Sequence, residues 1–454
     1  MTVYRIEPAG TAGTVRVPSS KSMGHRLAIA AALTGPDCRV EGMTNSKDME
    51  ATARCLAELE RYDRDGKASA EHALRGAEMS GEELSAAGRD YLLDCGESGS
   101  TLRFLIPVAM LRDGRKTFTG QGKLVSRPLD PYYRIFEKQG IRYTTEKGGL
   151  PLTVEGTLAP GAYELPGDVS SQFISGLLFA LPLLEGDSVL EVTSPLESAS
   201  YVGLTLAVLR QAGIRIETED LLSYRISGNQ RYRLPERTVV EGDWSQAAFW
   251  LVAGCLSGDS ACTGLDPESL QGDKAVLEIL ERMGGAVRWE KNHGNGAAAG
   301  AADAGDGDAD SRPVCRASRS SMKATVIDAA DCPDLVPVLA VAASVAEGTT
   351  EIVNAGRLRI KECDRLAAVT SELRKLGARI TEHPEGLTIE GRPEGLEGGC
   401  EVDAWNDHRI AMSLAVAVTV CGKPIVLSGA ESVAKSYPGF WEDYRSLGGR
   451  LEEA

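Results

Sequence analysis

Residues 170–213, SSQFISGLLFALPLLEGDSVLEVTSPLESASYVGLTLAVLRQAG, hold the pattern on which the fold turns. FISGLLFALPLLEG has no polar face, so it suits a buried helix, and its terminal Gly186 suits a left-handed cap. VLRQAG closes a second helix at Gly213, and β-rich residues lie between the two.

The same pair of signals recurs along the chain. Apolar runs end at Gly35, Gly114, Gly186, Gly258, Gly348 and Gly422, at intervals of 79, 72, 72, 90 and 74 residues. A second series, IFEKQG, VLRQAG, ILERMG, ELRKLG and DYRSLG, follows 26, 27, 26, 29 and 26 residues behind its partner. In the first repeat Arg61 stands where the second glycine is expected. Two helices per unit with β-rich stretches around them make a βαβαββ-like unit, repeated six times. The 90-residue interval contains GNGAAAGAADAGDGDADS, residues 294–311, too poor in bulky apolar groups to offset its ordering entropy. It reads as a flexible low-complexity insertion. A unit of this size has little core of its own, so the repeats are expected to pool their buried helices. The Pro-bearing stretch YRLPERTVVEGDW then divides them into two halves of three.

Composition narrows the partners. The 454 residues are 43% hydrophobic and 25% charged, with a formal charge of −16. That balance argues against nucleic acid or an anionic membrane as partner, and makes any local gathering of cations notable. The first thirty residues lack a basic start followed by an apolar core, so no leader is expected. No apolar run reaches the roughly 18 residues that a spanning helix needs. Ten cysteines without a C-x-x-C or a Cys/His cluster fit a reducing cytoplasm, with Cys332 and Cys363 as buried neutral thiols.

Polar residues crowd the starts of the buried helices: SSKSMGHR, GESGSTLR, DVSSQ, EGDWSQ, DCPD and NDHR. Ser, Asp and Asn there can be simple N-caps. Capping does not explain Arg26, Arg103 and Arg409, expected in first turns where the helix dipole disfavours a cation. An anion sharing the helix end would remove that conflict. GQGKLVSRPL adds Lys123 and Arg127, and GRLRIKECDRL adds Arg357, Arg359 and Arg365. In the latter, Lys361, Glu362, Asp364 and Arg365 mix both signs within one turn, which suits proton transfer beside a bound anion. No P-loop, zinc-protease or nucleophile-elbow motif is present.

PSSKSMGHRLAIAAAL, ESGSTLRF, SRPLDP, VSSQFISGLLFALPLL, SPLESASYVGLTLAVL, EGDWSQAAFWL, DCPDLVPVLAV, RLRIKECDRL, NDHRIAM and VAKSYPGFWEDY resemble, in order, successive motifs of the 5-enolpyruvylshikimate-3-phosphate synthase family. The resemblance implies an α/β, two-domain enolpyruvyl transferase fold, each domain three βαβαββ units with buried parallel helices, closing on a cleft. It places residues 18–239 in a first, phosphoshikimate-side domain, and residues 1–17 with 240–454 in a second. The implied reaction moves the enolpyruvyl group of phosphoenolpyruvate to the 5-hydroxyl of shikimate 3-phosphate, releasing phosphate, on the way to aromatic amino acids.

By the same resemblance, Lys21, Ser22, Arg26, Ser170, Ser171, Gln172, Ser198, Tyr201, Asp334 and Lys361 contact shikimate 3-phosphate. Lys21, Gly99, Arg127, Gln172, Arg365, Arg409 and Lys435 contact phosphoenolpyruvate. Asp334 accepts the hydroxyl proton and Glu362 protonates the methylene carbon, with Lys21 and Lys435 completing the catalytic set. The implied partners are these two small molecules, with no nucleic acid, membrane, cofactor or metal, and a cytoplasmic monomer is expected. Glu97, Ser98, Ser100 and Phe104 depart from the commoner Asn, Ala, Thr and Pro, and Arg357 replaces an Asn that contacts phosphoshikimate in some members. A UDP-N-acetylglucosamine enolpyruvyl transferase is the rival within the fold, although the loop GQGKLVSRPL lacks its reactive Cys. A non-catalytic anion-binding module is the rival outside it.

Overall fold

A helix that is apolar on every side must be covered on every side. The computed structural model describes residues 2–36, 38–61, 89–291 and 312–454, so the insertion at 294–311 lies outside the described residues. Twelve α-helices occur among them. In chain order these are α1 (Lys21–Thr34), α2 (Lys47–Glu60), α3 (Gly99–Ala109), α4 (Asp130–Gln139), α5 (Ser171–Ala180) and α6 (Ala199–Gln211). They continue as α7 (Trp244–Ser257), α8 (Val276–Arg282), α9 (Val336–Ser344), α10 (Arg365–Lys375), α11 (His408–Val418) and α12 (Phe440–Ser446). The odd-numbered helices carry the first glycine series and the even-numbered ones the second. Every residue of α9 and α11 is buried, and in α7 only the last, Ser257, is half-buried. The even-numbered helices bury one stripe, as in Met49, Thr52, Leu56 and Leu59 of α2.

The sheets repeat one connectivity. Asp90–Asp94 runs parallel to Arg115–Thr119, which pairs antiparallel with Gly149–Glu155, and that with Arg142–Glu146. Val326–Asp328, Thr349–Val353, Gly386–Glu390 and Arg379–His383 follow the same order and sense. Two further copies borrow a strand from the N-terminal residues. Ala12–Arg16 supplies the parallel edge beside Asp259–Thr263, and Val3–Glu7 lies between Ile425–Ser428 and Arg450–Glu453. A fifth copy is trimmed to Ala162–Leu165, Ser188–Val192 and Ser223–Ile226, with a lone bridge from Glu217 to Arg225 in the fourth place. The sixth has Arg39–Glu41 beside Arg237–Val239.

Contacts divide the chain into two compact units. One is Met1–Ser22, Gly42–Ser46 and Val239–Ala454, and the other is Met23–Glu41 with Lys47–Thr238. The first is the C-terminal unit and the second the N-terminal unit.

One expectation about glycine holds only in part. A positive-φ glycine closes the helix throughout the second series, where Gly140, Gly213, Gly284, Gly377 and Gly448 lie at φ +68, +76, +81, +96 and +99, and in the first series at Gly35, directly after α1 at φ +113. In the first series Gly258 has φ −154, and Gly114 and Gly348 fall several residues beyond their helices. Gly258 answers to space instead: a Cβ there would lie 1.6 Å from the Thr11 carbonyl oxygen, where the N-terminal segment crosses the helix end.

Candidate active site

A helix sheathed in sheet can carry charge only at the end where it emerges. In the C-terminal unit that end holds Asp334, in the tight turn Pro333–Leu335 that leads into α9, and Arg409, the second residue of α11. Asp364 and Asp407 cap α10 and α11 by accepting from the Ala367 and Arg409 amides.

Arg365, 1% exposed, joins the carboxylates of this cluster. Its Nη1 donates to Asp334 Oδ1 at 2.8 Å, its Nη2 to Glu362 Oε2 at 2.7 Å, and its Nε to Asp407 Oδ2 at 2.7 Å. Arg409 holds the other side of Asp334, donating from Nη2 to Oδ2 at 2.9 Å and from Nη1 to the backbone carbonyl at 3.2 Å. Arg409 Nη2 also donates to Ser245 Oγ at 3.0 Å. Burial alone would raise the Asp334 pKa, but Arg409, Lys361 and Arg365 outweigh it and hold the carboxyl well below its usual range. Lys361 Nζ lies 3.7 Å from Asp334, and burial, with help from the neighbouring Arg357 and Arg365 charges, pushes its pKa down to about 8. Lys435 Nζ donates to the Asn406 carbonyl at 2.7 Å. The backbone amide of Lys21, the first residue of α1, donates to Asp243, the cap of α7, at 3.0 Å; Ser22 follows it, half-buried.

The N-terminal unit gathers a different set. Ser170 caps α5 and Ser171 begins it. Gln172 accepts from Arg103 Nη1 at 2.9 Å and donates to Ser100 Oγ at 2.9 Å. A Cβ on Gly99 would meet Arg127 Nη1 at 2.7 Å, Gln172 Oε1 at 3.6 Å and Arg103 Nη1 at 3.8 Å, so two guanidinium groups and an amide converge on a bare backbone. Arg26 donates from Nε to Thr205 Oγ1 and from Nη2 to the Tyr201 carbonyl, each at 2.8 Å. Its guanidinium lies 5.1 Å from the Phe104 ring and 6.0 Å from that of Tyr201. Burial lowers its pKa to about 10. Ser198, buried at φ +55, turns the chain into α6.

Arg26 and Arg103 do not occupy first turns as expected, because α1 and α3 begin at Lys21 and Gly99, a turn earlier. Arg409 does. Arg359 ties the backbone, donating to Asp364, Glu382 and the carbonyls of His383 and Pro384. The thiols stay neutral: burial first raises Cys332 to about 12 and Cys363 further still.

Sequence reading assigned no role to His408, Asp407, Asn406, Ser245 or the Gln172 contact of Arg103. Three of these lie inside NDHR, where the cap residue hid an ion pair to Arg365 that only folding brings together. His408 is 1% exposed, and neither ring nitrogen has a hydrogen-bond partner among the described residues. Burial, then the charges of Lys21 and Arg409, push its pKa well below the usual value, so the ring is neutral.

The family model for EPSP synthase (3-phosphoshikimate 1-carboxyvinyltransferase) matches residues 7–444. Curated 3-phosphoshikimate 1-carboxyvinyltransferases of Clostridium acetobutylicum and Clostridium kluyveri are 44% and 46% identical to this chain, over 100% of it and 99% of theirs. The EPSP synthase structure from Acinetobacter baumannii superposes with a TM-score of 0.75 at 25% identity, covering 100% of both chains. The enolpyruvyl transferase NikO of Streptomyces tendae, 20% identical with a TM-score of 0.69 over 100% of this chain and 98% of its own, shares the fold. No helix among the described residues is long and apolar enough to cross a membrane.

Proposed function

This chain belongs to the EPSP synthase family, and from that premise we propose that it transfers the enolpyruvyl group of phosphoenolpyruvate to the 5-hydroxyl of shikimate 3-phosphate, releasing phosphate. Addition needs a base for the hydroxyl proton and a separate acid for the methylene carbon; elimination then removes a methyl proton as phosphate leaves. The observation that carries the reading is Arg365, which holds two such carboxyl groups, Asp334 and Glu362, on its two terminal nitrogens.

Asp334 is the base. Its depressed pKa keeps it ionised, and the cations responsible are those assigned to the substrates. A phosphate or carboxylate at Arg409, Lys361 and Arg365 offsets their field and raises the proton affinity of Asp334 when both reactants are present. Glu362 is the acid and, in elimination, the base that regains its proton, while the hydroxyl proton taken by Asp334 leaves with the phosphate. Lys21, Arg127, Arg365, Arg409 and Lys435 hold the anionic donor and the tetrahedral intermediate, with Gly99 and Gln172 shaping that site. Ser22, Arg26, Ser170, Ser171, Gln172, Ser198, Tyr201 and Lys361 hold shikimate 3-phosphate. The enzyme works as a cytoplasmic monomer.

The test is phosphate release from phosphoenolpyruvate with shikimate 3-phosphate as acceptor, against UDP-N-acetylglucosamine. Release is expected with the first acceptor alone, and none with it would sink the assignment.

A further inference from the structure

Residues 404–407 make a closed turn, the Asp407 amide donating to the Ala404 carbonyl at 2.9 Å. Its central residues, Trp405 and Asn406, lie at φ +53 and +51. Asn tolerates that region, whereas a bulky side chain such as Trp enters it only under constraint. Strain of this kind persists where the surroundings over-determine it, and it gathers at functional sites.

The constraint comes from Glu372, 1% exposed on α10. Its Oε1 accepts the Trp405 indole N–H at 2.9 Å and the Ser371 hydroxyl at 3.1 Å. Its Oε2 accepts the Asp403 amide at 2.9 Å and Lys375 Nζ at 2.7 Å. Asp403 in turn accepts from the Trp405 amide and from Ser428 Oγ. Arg365 lies two helical turns earlier, on the same face of α10, and grips Asp407. One helix therefore clamps the turn at both ends. Between the clamps, the Asn406 carbonyl accepts Lys435 Nζ at 2.7 Å.

We infer that Glu372 is a positioning residue: through Trp405 and Asp403 it locks the 404–407 turn so that Asn406 aims the Lys435 ammonium at phosphoenolpyruvate. This rests on the assignment of Lys435 to that substrate. Trp405→Phe removes one N–H from a half-exposed ring, and Glu372→Gln keeps the shape while halving the acceptor set. Each is measured in the full chain, alone and with Lys435→Met, for kcat, both KM values and Tm. Trp405→Phe should raise the phosphoenolpyruvate KM about tenfold, the scale of one hydrogen bond to a charged acceptor. The shikimate 3-phosphate KM and kcat should stay within about threefold, and the effect should vanish in the Lys435→Met background. Glu372→Gln should act in the same direction, and if it does not fold, Trp405→Phe alone decides. Equal rises in both KM values, an unchanged phosphoenolpyruvate KM in Trp405→Phe, or full additivity with a Lys435→Met that itself raises that KM would overturn the inference. A phosphoenolpyruvate KM unmoved by Lys435→Met is a different pattern: it removes Lys435 from the substrate, and the inference with it.

Discussion

Arg26 and Arg365 are both buried arginines on helices, yet their surroundings act in opposite directions. Burial prevails over Arg26, whose guanidinium rests on Thr205, the Tyr201 carbonyl and two aromatic faces, and its pKa falls to about 10. Burial also opposes the charge of Arg365, but Asp407, Glu362 and Asp334 overcome it and hold the group firmly protonated. A depressed cation gains most from an arriving anion, whereas a saturated one orients its carboxylates. On the proposed assignments, Arg26 serves affinity, whereas Arg365 also orients the carboxyl groups that move protons.

The sharpest way to break that contrast is Asp334→Ala. It should lower kcat by at least about a hundredfold, the scale of a lost general base, with circular dichroism and Tm showing a folded protein. Near-normal turnover would take the base out of the C-terminal unit. Arg26→Lys is the counterpart. Lysine keeps a positive charge but loses the planar fork, so the shikimate 3-phosphate KM should rise about tenfold while kcat falls less than threefold. A kcat loss larger than the KM rise would erase the division of labour.

Lys361 should give the smallest effect, and it sharpens the comparison by pH. Because its pKa is lowered to about 8, its charge is lost as pH rises through that value, not near 10.5. The shikimate 3-phosphate KM should climb about threefold between pH 7 and pH 8.5, the charge being roughly a quarter of its full value at the upper limit. Lys361→Arg, charged throughout, should flatten that climb. A climb that survives in Lys361→Arg belongs to another group.

Much of the fold could be read directly. Helices without a polar face announce burial, and two glycine series in register announce a repeated unit. The crowded polar ends of those helices, and Arg409 in its first turn, were legible for the same reason: charge has nowhere else to go. Long-range pairings were not. Glu372 reads as one more helix-surface acid in SELRK, because its partners Asp403 and Trp405 stand 31 and 33 residues away. The φ of Trp405 leaves no trace in residue type, since bulky side chains rarely adopt it. Some first-series glycines misled because the same residue serves two ends, conformation at Gly35 and close approach at Gly258.

The strands Val3–Glu7 and Ala12–Arg16 set a timetable for biosynthesis. They are made long before their partners, and Val3–Glu7 finds its neighbours only when Ile425–Ser428 and Arg450–Glu453 emerge. The N-terminal unit can condense while translation proceeds, whereas the C-terminal unit waits for the strand Arg450–Glu453. Its opening residues spend that interval as an unprotected strand, the period in which a chaperone or a neighbouring nascent chain has its best chance to bind them.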